Sequence, residues 1–373
     1  MNRREFHSTL IGVAGATMLP SFAFAAAEKP VPEVDAGSIT DVDGVTVGHF
    51  TDKRRPTGVT ALLFENGAFA GVDVRGSAPG TRETDLLNPV HGNHKIHAIT
   101  LAGGSGFGLD AASGVVRYLE EKGIGTHFGG YVIPIVPAAI LFDLPVGDGR
   151  IRPTAESGYE AARVASSSKV VEGNVGAGAG ATVGKAFGFD RATKTGLGTA
   201  SIKVGNTGVV VGALVALNAL GDVLDPSTGR IIAGARGEDG ISFIGTQARI
   251  RQGYGVLSQS LPLTNTTIAV IATNATLDKT QLTKVAQMAH DGLARTINPI
   301  HTLYDGDTIF AVSTGRLTAN VNHGAIGSIA ADVLAAAVIR AVTQATAAAG
   351  LPSHRELNGR AAVSEKSTPH GVS

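Results

Sequence analysis

The sequence predicts an α/β domain in which helices cover a substantial sheet system, and three observations carry this prediction. Strand-like apolar segments alternate along the chain with segments of helical period. Ile268–Ala272 and Gly208–Leu217 are almost wholly apolar, as strands buried on both faces are. Glycine provides 50 of the 373 residues, about twice the average share, and it has no collagen-like period. Such glycines indicate tight turns and close approaches between packed layers.

The first 27 residues are predicted to be a twin-arginine signal peptide. Residues 2–6, NRREF, contain the arginine pair, and they precede the apolar run Leu10–Leu19 and the small residues of Phe22–Ala27. This order predicts Tat export to the periplasm and cleavage near Ala25–Ala27. The apolar run is too short for a stable membrane anchor. An uncleaved disordered tail is the alternative.

The remaining residues, 28–373, are enough for one large domain. The chain has 31 basic and 31 acidic residues and a net charge of zero, so no basic patch argues for nucleic acid. No second long apolar run argues for a membrane anchor after processing. The absence of cysteine excludes disulfides, thiolate catalysis and cysteine-ligated metals.

The first mature segments are predicted to be strands. Ser38–His49 contains short strands around Gly44. Thr57–Phe64 and Ala68–Val74 are separated by Glu65-Asn66-Gly67, and Asn-Gly between apolar runs predicts a hairpin. The following loop, 75–85, is dense in charge, glycine and proline, which is typical of a solvated loop.

His97–Leu101 is a predicted strand, and a glycine-rich turn leads from it into a predicted helix over Leu109–Lys122. Apolar residues recur there at a spacing of three and four, and Gly123 follows the helix end. The dinucleotide-binding spacing is not met with an acidic residue about 20 positions on, which excludes a Rossmann cofactor site. Backbone amides at the helix start remain a candidate anion site.

The middle of the chain is less regular. Tyr131–Leu141 is predicted to be an edge or irregular strand because it contains Pro134 and Pro137. Glu156–Ser167 is a predicted helix. Gly173–Gly184 is a low-complexity segment, either a flexible linker or a rigid glycine loop whose amides face a site.

Thr199–Val204 and Gly208–Leu217 are predicted to pair as strands, and the second ends at Asn218. A carboxamide in this position usually satisfies local backbone groups. Residues 222–260 are polar and rich in glycine, and they predict a long exposed excursion ahead of Asn265.

The C-terminal part is predicted to contain two helices around one strand. Asp278–Arg295 is a helix that Asp278 caps, with Gln281 three residues on. Ile309–Ser313 is a strand and Ile326–Ala349 an alanine-rich helix, followed by a tail from residue 355. Three ligand-type side chains precede the strand, but three within one short loop are weak evidence and no metal is predicted: His301, Asp305 and Asp307.

Two threonines stand at the mouth of the core strand that begins near residue 266. The local interpretation is that threonine forms strands well and Asn265 closes a turn. The functional interpretation makes Thr266 a nucleophile. If the Asn265–Thr266 bond breaks, a new α-amine with an ordinary pKa of about 7.7–8.0 serves as the base beside a weak hydroxyl. The same hydroxyl would first attack the carbonyl of Asn265.

Several segments resemble the DmpA/β-peptidyl aminopeptidase family of self-processing hydrolases, in order and across residues 38–349. They are NTTIAVIATNA (265–275), RGSAPGTRETDLL (75–87), GGSGFGLDAASGVVRYLEE (103–121), GNVGAGAG (173–180) and VGALVALN (211–218). The resemblance implies a four-layer αββα sandwich like that of ornithine acetyltransferase, with an architecture similar to that of the Ntn hydrolases. It also implies that the loop over residues 75–85 is fixed near the site.

The resemblance implies roles for individual residues. Thr266 would be the nucleophile, Asn218 would donate to the oxyanion, and Asp305 and Asp307 would hydrogen-bond the amine and hydroxyl of Thr266. Asp305 departs from the family, which has a serine there. Phe142 falls where characterised members carry a tyrosine that positions the oxyanion. Further candidates for contact with the substrate or oxyanion are Thr267, Tyr131 and Gly178.

The function that follows is a self-cleaving aminopeptidase or amidohydrolase that acts through an acyl-enzyme on small peptides, amides or esters. Cleavage would give chains 28–265 and 266–373, and no cofactor or metal is expected. By family analogy the protein forms a homo-oligomer, a tetramer or larger. The alternatives are a related acyltransferase or pantetheine-type amide hydrolase, and an unprocessed binding protein without enzymatic activity.

Overall fold

The computed structural model describes four parts of the chain, residues 37–92, 95–256, 265–319 and 321–359. The predicted signal peptide lies outside these residues, as do the positions immediately before Asn265 and the last part of the predicted tail. Leu357, which falls within that tail, is buried. The packed domain therefore extends past residue 355.

Five α-helices and sixteen strands of the described residues are numbered here in chain order, and residues 354–359 are helical as well. The helices are α1 Ala111–Glu121, α2 Ala155–Arg163, α3 Thr246–Arg251, α4 Lys279–Thr296 and α5 His323–Thr343. The strands are β1 Thr46–Thr51, β2 Gly58–Val74, β3 Thr81–Arg82, β4 Ile96–Ala102, β5 Thr126–Phe128, β6 Tyr131–Ile133, β7 Ala138–Ile140, β8 Thr182–Val183, β9 Thr193–Lys194, β10 Leu197–Lys203, β11 Val210–Asn218, β12 Asp222–Leu224, β13 Ile231–Ala233, β14 Thr266–Ala275, β15 Ile297–Asn298 and β16 Thr308–Leu317.

One long strand, β2, joins two halves of a sheet system. Its first half pairs with β1 and β4, and its second half, Phe69–Val74, pairs with β16. The predicted hairpin at Asn66-Gly67 is therefore wrong. Gly67 has a φ of +67° and lies where the pairing with β4 shifts register, so the residues form an irregularity within one strand. Each half of β2 forms hydrogen bonds with different neighbouring strands. This pairing outweighs the preference of Asn66-Gly67 for a turn.

The side chains of the two half-sheets point alternately into different cores. In β14, Ile268 and Val270 face a core between the sheets, whereas Ala269 and Ile271 face a core shared with α4 and α5. A third core lies between the other half-sheet and the helices α1 and α2. The layers therefore follow the order α-β-β-α, and the predicted four-layer sandwich is confirmed.

Local sequence signals predict the start of helix α4 correctly but not the end of helix α5. Asp278 accepts the N–H of Gln281 at 2.8 Å and Gln281 returns a bond of 3.0 Å to the N–H of Asp278, which confirms the predicted cap of α4. Helix α5 starts at His323 and stops at Thr343, six residues before the predicted end at Ala349. The alanines do not prolong it because Asn174 holds the backbone of Thr346 by two hydrogen bonds.

Helix α5 is also long and apolar enough to cross a membrane by length and composition alone. Of its most apolar window, 61% is buried inside the domain, which accounts for that composition.

Two other segments differ from the prediction. The predicted strand Tyr131–Leu141 is split into β6 and β7, because Pro134 and Pro137 lie between them. The predicted excursion over residues 222–260 contains β12, β13 and α3 in its described part. Its buried Asp222 accepts N–H groups from Ala235 and Thr246 at 2.9 and 2.6 Å, so this part is ordered around an internal carboxylate.

Candidate active site

Strand pairing brings Asn218 and Thr266 together. The last residue of β11 is Asn218, the first residue of β14 is Thr266, and the antiparallel register makes them partners. Both are buried, at 0% and 3% exposed. Strand β16 runs parallel to β14 on its other side, so the loop that enters β16 reaches the same edge of the sheet. The sheet thus assembles residues that are far apart in sequence.

The peptide bond between Asn265 and Thr266 lies within this group. The hydroxyl of Thr266 donates to the carbonyl oxygen of Asn265. The N–H of Gly306 donates to the same oxygen at 3.0 Å, and the side chain of Asn265 is bonded to the carbonyl of Tyr304 at 3.3 Å. The carbonyl of the predicted scissile bond is therefore polarised by two donors, one of which is the predicted nucleophile.

Asp307 is buried beside the start of β14. Its Oδ1 accepts the N–H of Thr267 at 2.8 Å. Its Oδ2 accepts the backbone N–H of His301 at 3.1 Å and faces the Nδ1 of the same residue at 2.9 Å. In the uncleaved chain its partner on β14 is thus Thr267, one residue after the position that the resemblance implies.

Asp305 is equally buried but holds different groups. Its Oδ1 accepts the N–H of Leu220 at 3.1 Å, and its Oδ2 accepts the N–H and the hydroxyl of Thr302. Burial and the nearby charge of Asp307 raise the pKa of Asp305 to about 6. Its carboxylate therefore orders the turns on either side of the site.

The charged loop over residues 75–85 is fixed against these aspartates by its backbone. Arg75 and Gly76 donate to the carbonyl of Asp307 at 2.9 and 3.2 Å, and Ala78 donates to the carbonyl of Asp305 at 2.9 Å. A Cβ at Gly76 would lie 2.3 Å from the backbone of Asp305. The start of this loop is therefore held against the two aspartates of the candidate site.

Sequence reasoning missed Lys185. Its Nζ lies 2.8 Å from the Oδ1 of Asn218 and 3.0 Å from its carbonyl oxygen, and the N–H of Thr182 reaches the same Oδ1 at 3.1 Å. The Nδ2 of Asn218 donates to the carbonyl of Phe142 at 3.1 Å. These donors fix the orientation of the carboxamide.

Burial lowers the pKa of Lys185 to about 7. A fully buried lysine whose pKa lies close to neutral pH is a candidate for a catalytic role. The only sequence signal for this residue is a single lysine within the glycine-rich stretch GAGATVGKAFG.

The glycine segment is a rigid, buried part of the core and not a flexible linker. Gly178 packs so closely on β10 that a Cβ would lie 2.2 Å from the N of Leu197. Its carbonyl faces the Nζ of the buried Lys194 at 3.4 Å. The contacts of Gly178 are thus with β9 and β10, and it is Thr182 and Lys185 that extend from this segment to Asn218.

The structure does not bring Tyr131 into the group. Tyr131 lies on the two-stranded hairpin of β5 and β6 and is 72% exposed, whereas Thr266 and Asn218 are buried. Tyr131 was a candidate because Phe142 occupies the position at which the resembled family has a tyrosine. Phe142 instead supplies its carbonyl oxygen to Asn218. Thr267, the remaining candidate, has a buried hydroxyl one residue from the predicted nucleophile.

His301, Asp305 and Asp307 do not form a metal cluster. The imidazole of His301 is directed at Asp307, while Asp305 faces Leu220 and Thr302. Within the described ranges no group of three or more histidine, aspartate or glutamate side chains is placed to hold a metal ion.

The arrangement is suited to acyl transfer. The Thr266 hydroxyl lies against the polarised carbonyl of Asn265. The N–H of Gly306 and the carboxamide of Asn218 lie at the same end of these strands. The buried amine of Lys185, with a pKa near 7, contacts that carboxamide. Such preorganised donors stabilise the negative charge that develops on a carbonyl oxygen.

This chain is similar to known proteins along most of its length. The profile of Peptidase family S58 matches residues 37–356. An uncharacterized aminopeptidase of Mycobacterium tuberculosis is 42% identical over 348 residues, which cover 86% of this chain and 97% of that protein. A 6-aminohexanoate-oligomer endohydrolase of Paenarthrobacter ureafaciens is 32% identical over 317 residues, covering 81% and 84%.

Solved structures share the fold. The L-aminopeptidase D-Ala-esterase/amidase of Ochrobactrum anthropi, described as a variant of the Ntn hydrolase fold, superposes with a TM-score of 0.65 at 22% identity over 90% of this chain and 96% of that one. A Burkholderia β-aminopeptidase gives a TM-score of 0.63 at 21% identity, covering 88% and 95%.

Proposed function

Because this chain belongs to peptidase family S58, and is thereby a hydrolase of the peptidase type, we propose that it cleaves itself before Thr266 and then uses Thr266 as an N-terminal nucleophile. One observation carries the proposal. The Thr266 hydroxyl donates to the Asn265 carbonyl oxygen while the N–H of Gly306 holds that oxygen at 3.0 Å. The reacting groups of a self-cleavage are thus already in contact.

The first reaction is an acyl shift from nitrogen to oxygen. The hydroxyl oxygen of Thr266 attacks the carbonyl carbon of Asn265, and the negative charge develops on the oxygen that Gly306 contacts. The hydroxyl proton passes to the Thr266 nitrogen as the C–N bond breaks, which leaves an ester. Water then hydrolyses the ester to the carboxylate of Asn265 and a free Thr266 with its own α-amine.

The mature site repeats this chemistry on a substrate. The α-amine of Thr266 takes the hydroxyl proton, the oxygen attacks an amide or ester carbonyl, and the leaving amine or alcohol receives the proton. Asn218 is the proposed oxyanion donor, and Lys185 and Thr182 hold its carboxamide. Asp307 is the proposed acceptor for the N–H groups at the start of β14, and water releases the acyl group.

Two substrate classes follow from the relatives and the site. The aminopeptidase names favour substrates with a free amine, which require a carboxylate to accept the ammonium. The buried carboxylates of Asp305 and Asp307 are engaged with groups of the protein itself. These two carboxylates are therefore not available to a substrate ammonium. The second class consists of internal amide bonds such as those of 6-aminohexanoate oligomers, which the endohydrolase relatives are named for.

The nucleophile is tested by intact mass spectrometry and N-terminal sequencing of the purified protein. We expect two fragments in the wild type, the smaller beginning at Thr266, one intact chain in Thr266→Ala, and cleavage retained in Thr266→Ser. Thr276→Ala is the matched control, because Thr276 is an exposed threonine at the far end of the same segment. An intact wild-type chain, or cleavage of Thr266→Ala, would refute the proposal.

The substrate class is tested with paired compounds. Aminoacyl p-nitroanilides are compared with their N-acetylated forms and with short oligomers of 6-aminohexanoate. Loss of activity on acetylation assigns an aminopeptidase, and equal activity assigns an internal amide hydrolase. An added amine acceptor, supplied alongside water, separates hydrolysis from acyl transfer.

We also propose Tat export and assembly into a homo-oligomer. The twin-arginine pattern at Arg3-Arg4 motivates the first. Periplasmic fractionation of the wild type and of an Arg3→Lys/Arg4→Lys variant tests it, and equal export of both would refute it. Light scattering of the cleaved protein tests the second, for which a monomeric mass would be the contrary result.

A further inference from the structure

Polar side chains, of which His290 is buried and His301 and Asp73 are partly buried, line the side of Asp307 that faces away from β14. His301 contacts Oδ2 of Asp307 through both its backbone N–H and its Nδ1, at 3.1 and 2.9 Å. The ring of His290 packs edge-on against His301, with 4.6 Å between ring centroids and 77° between planes. His290 in turn reaches Asp73, whose carbonyl and carboxylate oxygens both lie 3.3 Å from its Nε2.

The hydrogen bonds define the tautomer of His301. An ionised carboxylate only accepts, so the Nδ1 of His301 carries the proton that faces Oδ2. The Nε2 of His301 is buried and makes no hydrogen bond to the parts of the chain that the structure describes. Asp307 therefore determines both the tautomer and the orientation of the imidazole.

The backbone of His301 has an uncommon conformation. Its φ is +55°, in the left-handed region that few non-glycine residues adopt, although histidine, asparagine and aspartate adopt it more often than the others. Its hydrogen bond to Asp307 and the packing on His290 compensate for the unfavourable backbone.

We propose that His301 is a positioning residue for Asp307. Its Nδ1–H and backbone N–H hold Oδ2, which aims Oδ1 at the N–H of Thr267 and, after cleavage, at the neighbouring amine of Thr266. The inference rests on the proposed function, because the position of Asp307 affects a rate only if Thr266 reacts.

Two substitutions separate the hydrogen bond from the backbone. His301→Asn retains a donor at the place of Nδ1 and tolerates positive φ, whereas His301→Gly tolerates positive φ and has no side-chain donor. We expect His301→Gly to slow self-cleavage and kcat by about 10- to 100-fold with little change in KM, as for a lost hydrogen bond to a charged group. We expect His301→Asn to restore both rates to within about fivefold.

The rates of the two variants decide whether His301 positions Asp307. Slow cleavage in the glycine variant with rescue by asparagine supports the positioning role. Wild-type rates in the glycine variant overturn it, and equally slow rates in both variants overturn the assignment to the Nδ1 hydrogen bond. Circular dichroism spectra and unfolding midpoints of both variants establish that they fold.

A second measurement does not depend on cleavage. Two-bond ¹H–¹⁵N correlation spectra of the Thr266→Ala chain report which imidazole nitrogen of His301 is protonated. Nδ1–H in that chain, lost in Thr266→Ala/Asp307→Ala, supports the inference, and an Nε2–H tautomer overturns it. If the wild type never cleaves, the proposed function fails, while this spectrum still decides whether His301 holds Asp307.

Discussion

The Nζ of Lys185 lies 2.8 Å from the Oδ1 of Asn218, and both residues are buried. The contact ties the glycine-rich segment to the end of β11, where Asn218 is paired with Thr266. Because Lys185 also donates to the carbonyl oxygen of Asn218 at 3.0 Å, one ammonium fixes both the backbone and the side chain of the proposed oxyanion donor.

Replacing Lys185 by methionine is expected to lower kcat of the cleaved protein by about 100- to 1,000-fold, because Lys185 holds Asn218, the proposed oxyanion donor of the mature site. Lys194→Met is the matched control, because Lys194 is equally buried but contacts the carbonyls of Gly178 and Thr195. Rates of hydrolysis of one aminoacyl p-nitroanilide by the two cleaved variants and the wild type are compared. Equal slowing in both variants would assign Lys185 to general packing.

The same lysines predict how stability depends on pH. Burial lowers the pKa of Lys185 and of Lys194 to about 7, far below the ordinary value of 10.5. Between these values the unfolded chain binds more protons, so the free energy of unfolding rises with pH from about 7 to 10. Urea unfolding of the intact Thr266→Ala chain measures this slope.

Each single lysine-to-methionine variant should remove part of that slope, and the double variant should remove both contributions. A slope unchanged in the double variant would show that neither lysine has a lowered pKa.

Asp305 predicts the opposite trend at lower pH. Burial and Asp307 raise its pKa to about 6, above the ordinary 3.8. Between these values the folded chain binds more protons, so this group lowers the free energy of unfolding as pH rises from about 4 to 6. Asp305→Asn should remove that trend in urea unfolding.

The backbone of Gly306 predicts a steric block of self-cleavage. A Cβ at this position would lie 2.4 Å from the carbonyl oxygen of Ala78 and 2.9 Å from the hydroxyl of Thr266. Gly306→Ala should therefore displace the N–H that holds the Asn265 carbonyl and leave the chain largely intact by mass spectrometry. Gly106→Ala is the control, because a Cβ there meets no atom within 4 Å. Full cleavage of the Gly306 variant would mean that this N–H is dispensable.

The alternation of strands and helices predicted an α/β domain, and the resemblance to the self-processing hydrolases predicted its four layers. Periodicity and caps located α1 and α4 to within a few residues because each helix buries one apolar face, and the apolar run located β14 because that strand is buried on both faces. The predicted hairpin at Asn66-Gly67 was wrong, because this turn signal lies inside β2, whose two halves pair with different strands. Only the three-dimensional pairing decides that case.

The site was partly predictable for the same reason. Asn218 and Thr266 stand at strand ends, which a pattern identifies, and the register then makes them neighbours. The roles of Lys185 and His301 could not be predicted, because they depend on side-chain contacts with Asn218 and Asp307 that only the folded chain defines. The glycine-rich turn that precedes α1, where the sequence suggested an anion site, contacts a carboxylate of the protein itself, since the N–H of Gly104 donates to Asp143 at 2.9 Å.

That internal anion, Asp143, leads to the last prediction. Its carboxylate forms a fully buried ion pair with Arg55 and accepts the hydroxyl of Thr57 at 2.7 Å. Asp143→Leu should lower the free energy of unfolding by about 3–5 kcal/mol, because it leaves the guanidinium of Arg55 buried without its partner. Urea unfolding of the Thr266→Ala chain provides the measurement.

The double variant Arg55→Met/Asp143→Leu should recover most of that stability, since apolar groups can replace a buried pair at little cost. It should not recover self-cleavage, because Arg55 also holds the carbonyl of Leu144 at 3.2 Å and so anchors the segment whose Phe142 carbonyl contacts Asn218. Additive losses of stability would mean that the two side chains act independently. Recovery of stability without recovery of cleavage would assign the pair to holding Phe142 in place.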